Sequence, residues 1–214
     1  MSKICPKEFR VLAIAPSARG FGFAVLEGQD ILVDWGIKTI SYGNKNIRSL
    51  EKVKGLIIHY QPGVLILENA SVKSSLRAPR IRRLCRQIGK LAARHKVGVT
   101  LFSRDQLMKT FFADGRGTKY ALAEIVAKRF SDELSQTLPP KRKLGNSEDS
   151  RMNIFDAAAL AVVFRLKMVC HRAIQSNKAR DGGNDCPIIF CRASSETAAE
   201  TPSVGEQGLA HGYL

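Results

Sequence analysis

A chain of 214 residues, 44% hydrophobic and 25% charged, has the make-up of one ordinary domain with a tail, or of two very small domains. That excludes disorder throughout and a coiled coil, and no apolar run approaches the roughly 18 residues of a membrane span. The formal charge is +15, and it is uneven: residues 1–172 hold 31 basic and 14 acidic groups, residues 173–214 three and five.

Residues 1–8 read as a short extension, with no hydrophobic stretch before Phe9 and so no expected secretory signal. Val11-Leu-Ala-Ile-Ala15 is an apolar run closed by Pro16, a buried strand and a turn. A second strand, Gly20 to Leu26, and a third, Ile31 to Ile40, are separated by the turn Glu27-Gly-Gln-Asp30. Three strands so close in sequence predict an antiparallel meander. Ile47, Leu50, Val53, Ile57 and Ile58 then recur with a helical period that stops at Pro62-Gly63. Val64-Leu-Ile-Leu67 is a fully apolar strand that ends on Glu68, an acid in an unusual place.

From Leu76 onward Ile81, Leu84, Cys85, Ile88, Leu91 and Ala92 make one apolar stripe, with Pro79 in the first turn. Arg82, Arg86, Lys90 and Arg94 form a basic stripe on another face. No acid lies between Glu68 and Asp105, while ten basic residues fall from Lys73 to Arg104. Such a one-sign stretch is an electrostatic footprint for polyphosphate, and nucleic acid is the usual partner; a solvated helix face is the plainer alternative. Lys73, Arg77, Arg80, Arg82, Arg83, Arg86, Lys90 and Arg94 are the candidate contacts, made to phosphates without reading sequence.

Val97 to Phe102 predicts a fifth strand, Asp105 to Phe112 a short helix and Asp114-Gly-Arg-Gly117 a loop. Thr118 caps a helix expected to run to about Leu134, a basic linker follows at Pro139-Pro-Lys-Arg-Lys143, and a last helix spans about Ser147 to Ala173. Residues 174–214 lack periodicity and read as a disordered tail, leaving one domain over 9–173. Five scattered cysteines, an odd number, do not make a disulfide framework, and a reducing cytoplasm is expected. Cys186 and Cys191 have no second pair to complete a zinc site, and the four histidines are far apart.

Three pieces in this order carry a resemblance: Leu12-Ala-Ile-Ala-Pro-Ser-Ala-Arg-Gly-Phe-Gly-Phe-Ala-Val25, Val64-Leu-Ile-Leu-Glu-Asn69 and Asn153-Ile-Phe-Asp-Ala-Ala-Ala-Leu-Ala161. Along residues 9–172 the chain resembles the RuvC Holliday-junction resolvase family. Lys109 and Lys119 match the family's pair of lysines at slightly closer spacing. The resemblance implies an α/β ribonuclease H-like fold: a five-stranded mixed sheet, a three-strand antiparallel meander plus two parallel strands, flanked by helices. It also implies homodimers, branched DNA as partner, and a centre where carboxylates from strand one, strand four and the last helix hold two Mg²⁺ ions, with Mn²⁺ as substitute.

Glu68 and Asp156 fit two of the family's acids. Ala15 stands where the acid of strand one belongs, and Asn153 where the first acid of the helical pair belongs. Four carboxylates become two, and two Mg²⁺ ions would face a protein charge of only −2. Asp149 lies about 10 Å from Asp156 along a helix, and Asp34 lies on strand three, so neither replaces the missing acids. The family's stacking aromatic after its strand-four Glu is absent too, since Asn69, Ala70 and Ser71 follow.

The expected function is therefore binding of branched DNA by a RuvC-like protein with weak or lost metal-dependent cleavage. Glu68, Asp156 and Asn153 would be the remnant metal site, with Lys109 and Lys119 near the phosphate. Two alternatives stand beside it: an active Mg²⁺- or Mn²⁺-dependent crossover junction endodeoxyribonuclease, and a non-catalytic RNA-binding module.

Overall fold

The computed structural model describes residues 9–28, 30–70, 77–143 and 147–178, with side chains as far as 169. Five strands, β1 (Val11–Ser17), β2 (Gly20–Glu27), β3 (Ile31–Thr39), β4 (Val64–Glu68) and β5 (Gly98–Phe102), form one sheet in the order β3-β2-β1-β4-β5. The first three make the antiparallel meander, and β1–β4 and β4–β5 pair in parallel. The mixed sheet expected from the sequence is the sheet observed. Pro16 lies inside β1 rather than ending it. Pairing of β1 with β4 stops at Ile14, so Pro16 has a strand on one side only, where a missing N–H is tolerated.

Period-2 alternation divides the sheet between two cores. Leu12, Ile14, Phe23, Val25, Leu65 and Leu67 face helices α1 (Lys45–Tyr60) and α2 (Pro79–Arg94), packing on Val53, Ile57, Leu84 and Ile88. Val11, Ala13, Ala15, Ala24 and Ile66 face the opposite layer of α3 (Arg104–Phe111), α4 (Lys119–Arg129), α5 (Ser131–Leu134) and α6 (Met152–Lys178). The second core is built from small residues. Ala157, Ala158, Ala159 and Ala161 of α6 are all fully buried, and at Gly22 a Cβ would come within 2.3 Å of the Asn153 carbonyl oxygen. The first turn of α6 therefore sits almost backbone to backbone on β2. Gly22 is the register partner of Ala15, so Asn153 and Asp156 are delivered beside the carboxyl end of β1.

Three helix boundaries differ from expectation. The helix capped by Thr118 breaks at Phe130 (φ −116°, ψ 60°) into α4 and α5, followed by a 3-10 turn over Ser135–Thr137. Phe130 and Leu134 are both buried, so packing decides the break. The last helix starts at Met152 because the Asp149 carboxylate accepts the Arg151 N–H in a local turn. At its other end it continues through Ile174-Gln-Ser-Asn-Lys178, which contains no helix breaker, before the Asp181-Gly-Gly183 segment. Leu76 and the remainder of the expected tail, residues 179–214, lie outside the described residues. Among the described residues no helix is long and apolar enough to cross a membrane.

Candidate functional site

The parallel strands β1, β4 and β5 all end on one edge of the sheet, and Glu68, the last residue of β4, pairs in register with Phe102. Any residue just after Phe102 is thus held next to Glu68. Ser103 caps α3 with a reciprocal bond to Gln106, which fixes the direction in which Arg104 leaves the strand. Thr118 caps α4 in turn and sets Lys119 at that helix's first position.

These elements converge on the two acids. Asp156 is 4% exposed, and its Oδ1 accepts from Arg104 at 3.2 Å while its Oδ2 accepts from Lys119 at 2.8 Å. Lys119 also reaches Glu148 at 2.7 Å. Both oxygens of Glu68 accept from Arg77, in a two-pronged pair with Nε and Nη2. The two pairs form one cluster. Burial opposes the charge of Arg77, but the hydrogen bond and charge of Glu68, and then the charge of Asp156, outweigh it and raise the guanidinium pKa. Cys85, on the inner face of α2, feels the same surroundings: burial first and the Glu68 charge second push its thiol up to about 11.

Divalent metal is what the resemblance implies here, and the residues present do not fit it. Ala15 is buried and offers only a methyl group where the resemblance implies an acid on strand one. Asn153, whose amide nitrogen donates to the Ser150 carbonyl, offers only a neutral amide oxygen where a charged carboxylate is implied. The oxygens of Glu68 and Asp156 already accept from cations, and three carboxylates with three cations sum to zero charge. Among the described residues no three His, Cys, Asp or Glu side chains are grouped as a metal site. The possible replacements are committed elsewhere: Asp34 accepts from the Tyr60 hydroxyl, and Asp149 is paired with Arg151, whose hydrogen bond holds its carboxyl below the usual range.

The other candidates separate into groups. Arg82, Arg83, Arg86, Lys90 and Arg94 are exposed along the outer face of α2, as an electrostatic contact surface requires. Arg80 turns inward, donating to the Ser17 and Ala18 carbonyls at 3.0 and 3.1 Å and to Asn46 at 2.9 Å, and so joins α2 to the β1–β2 turn and α1. Lys109 is exposed, its stem running over Gly115, whereas Lys119 is in the cluster. Lys73 lies outside the described residues. A cleft of about 590 Å³ adjoins Lys119, bordered by Glu148, Asp149 and the basic segment Lys141-Arg142-Lys143.

Arg104 and Glu148 have no assigned role in the sequence reading. Arg104 had a usable signal: it is the second residue past the end of a parallel strand adjacent to the Glu68 strand. Glu148 had none, because its partner Lys119 is 29 positions away and the two meet only through α4 and α6 packing.

A β-meander extended by two parallel strands, with acids at the end of β4 and near the start of the last helix, defines a ribonuclease H-like α/β domain. Among solved structures the chain is similar to Thermus thermophilus RuvC, with 15% identity over 75% of this chain and 97% of that one and a TM-score of 0.54. It is also similar to T. thermophilus RuvC in complex with Holliday junction substrate, at 16% identity, 75% and 96% coverage and TM-score 0.56. The yeast mitochondrial Holliday junction resolvase Ydc2 matches at 14% identity, 82% and 86% coverage and TM-score 0.55. The chain thus has the fold of RuvC-like resolvases. No protein-family model and no curated protein matches the sequence.

Proposed function

We propose that the chain is a binding protein for branched DNA whose former cleavage centre is closed by its own cations. The observation that carries this reading is the Asp156 carboxylate, buried and bonded on both oxygens by Arg104 and Lys119, with a buried alanine, Ala15, at the strand-one position. A two-metal phosphodiester displacement needs free carboxylate oxygens to hold the ions. A protein that only grips the backbone needs none, and depends on surplus cations. The exposed basic face of α2 and the Lys141-Arg142-Lys143 border supply them on the same chain. The homodimer implied by the resemblance belongs to this proposal, and sedimentation of the full chain with and without DNA tests it.

The deciding experiment is an end-labelled four-way DNA junction incubated in Mg²⁺, Mn²⁺ or EDTA, with gel-shift and denaturing lanes side by side. The expected result is a shift that survives EDTA, exceeds that of a linear duplex, and leaves no nicks. Paired symmetric nicks in Mg²⁺ or Mn²⁺ overturn it in favour of an active endonuclease. Preference for an RNA duplex over the junction overturns it in favour of an RNA-binding module.

A further inference from the structure

Tyr42 is the most exposed large hydrophobic side chain among the described residues, at 72%. It lies in the turn from β3 to α1, and that turn is firmly held. On one side Thr39 pairs with Gly20, and the Ile40 N–H donates to the Arg19 carbonyl at 2.8 Å. On the other side Asn44 caps α1 by accepting from the N–H groups of Asn46 and Ile47. Gly43 between them takes φ +71°, a left-handed conformation that lets the chain reverse within one residue. The Arg48 guanidinium lies over the ring, 5.1 Å from its centroid. An aromatic pinned at its backbone and backed by a cation is oriented rather than free, and most of its surface remains in water.

Its position gives the exposure a purpose. The β1–β2 turn, to which the Tyr42 turn is bonded, is at the carboxyl end of β1, the edge of the sheet where Glu68 also ends. Arg80 ties that turn to α1 and α2 through Ser17, Ala18 and Asn46. A shallow hollow of about 200 Å³ opens beside the ring, between Arg48, Glu51 and Lys52 on α1 and the end of β3. That is smaller than the ~300–1,000 Å³ of sites for drug-sized ligands. It suits one flat ring laid on another, with Arg19, Lys45 and Lys52 exposed nearby for the attached phosphates.

We propose that Tyr42 is a stacking platform for a single unpaired nucleobase, which at a branch point is a base freed from its stack. The inference rests on the nucleic-acid reading above. Every base has a π-face, so the contact is tolerant of sequence, and loss of one base–aromatic stack weakens binding about 5- to 150-fold.

The test uses the full chain, its Tyr42→Ala and Tyr42→Phe variants, and a four-way junction carrying 2-aminopurine at the branch point. Wild type and Tyr42→Phe are expected to quench the probe and bind with similar affinity. Tyr42→Ala is expected to lose the quenching and at least fivefold in affinity, with an unchanged melting transition. Quenching and affinity equal to wild type in Tyr42→Ala overturn the platform while leaving the branched-DNA reading intact. Should wild type bind the junction no better than a duplex, the branched-DNA reading falls; Tyr42-dependent quenching of a single-stranded 2-aminopurine oligonucleotide then still upholds the platform, and its absence overturns that as well.

Discussion

Replacing Asp156 by Asn distinguishes a clasp from a metal ligand, because the two roles require opposite signs. In a cluster of bare carboxylates awaiting cations, removing one charge relieves repulsion and stabilises the metal-free protein. Here the side chain is only 6% exposed and holds Lys119 and Arg104 at 2.8 and 3.2 Å. The amide is the same shape, yet it has one acceptor oxygen instead of two and turns an NH₂ toward one of two cations. Hydrogen bonds to charged groups contribute about 1.5–3 kcal/mol each. Part of that is recovered, since the side chains of Arg104 and Lys119 are 33% and 27% exposed and Lys119 keeps Glu148. The expected net loss is about 2 kcal/mol. For a domain of this size that is a fall of about 4–8 °C in Tm. Urea unfolding at neutral pH in EDTA measures the change, and a cycle with Lys119→Met should return a coupling of about 1 kcal/mol. A stability gain, or a change within about 0.5 kcal/mol, would refute the clasp.

Changing Arg82, Arg86 and Lys90 together to Ala should weaken DNA binding evenly across sequences and reduce the slope of log affinity against log salt by about 2–3; an unchanged slope moves the contact surface off α2. Gly22→Ala would drive a methyl group into the Asn153 carbonyl and should cost about 1–3 kcal/mol or more in a denaturant titration; a neutral result would mean that α6 is not seated on β2. The Tyr60 hydroxyl, pushed up to about 12 by burial and then by its bond to Asp34, keeps its proton in the folded chain after an unfolded tyrosine would lose it at 10.0. Its contribution to stability is therefore full below about pH 10 and lost as pH rises toward 12. Tyr60→Phe should flatten that decline, and an equally steep fall in the variant would place its cause elsewhere.

Most of the fold was legible because each strand carries its own signal. The apolar run Val64 to Leu67 and the turn residues around Gly28 are local features, and they marked the strands and the meander, while the parallel pairing came from the family resemblance. Glu68 was legible by the same route, as an acid straight after an apolar strand, whereas Asp156 stood out only through the resemblance. Their partners were not. Arg77 reads as one more cation in a basic stretch, and nothing local pairs it with Glu68, nine positions earlier. Lys119 and Asp156 are 37 positions apart, and no periodicity joins the first turn of one helix to the face of another. Helix limits failed for a related reason: propensity carried the helix through Phe130, while burial of that ring and of Leu134 required a break.

The alanine-lined contact between α6 and the sheet also governs how this site can respond to a ligand. With so few side-chain atoms between the two backbones, α6 has no soft layer on which to slide or rotate. An incoming phosphate that draws Lys119 or Arg104 away from Asp156 can therefore exchange partners by side-chain rotation, and not by the slower shifting of a helix. Engagement and release at this end of the molecule would be quick and local, with the rest of the domain serving as an unmoving bed for whatever strand crosses it.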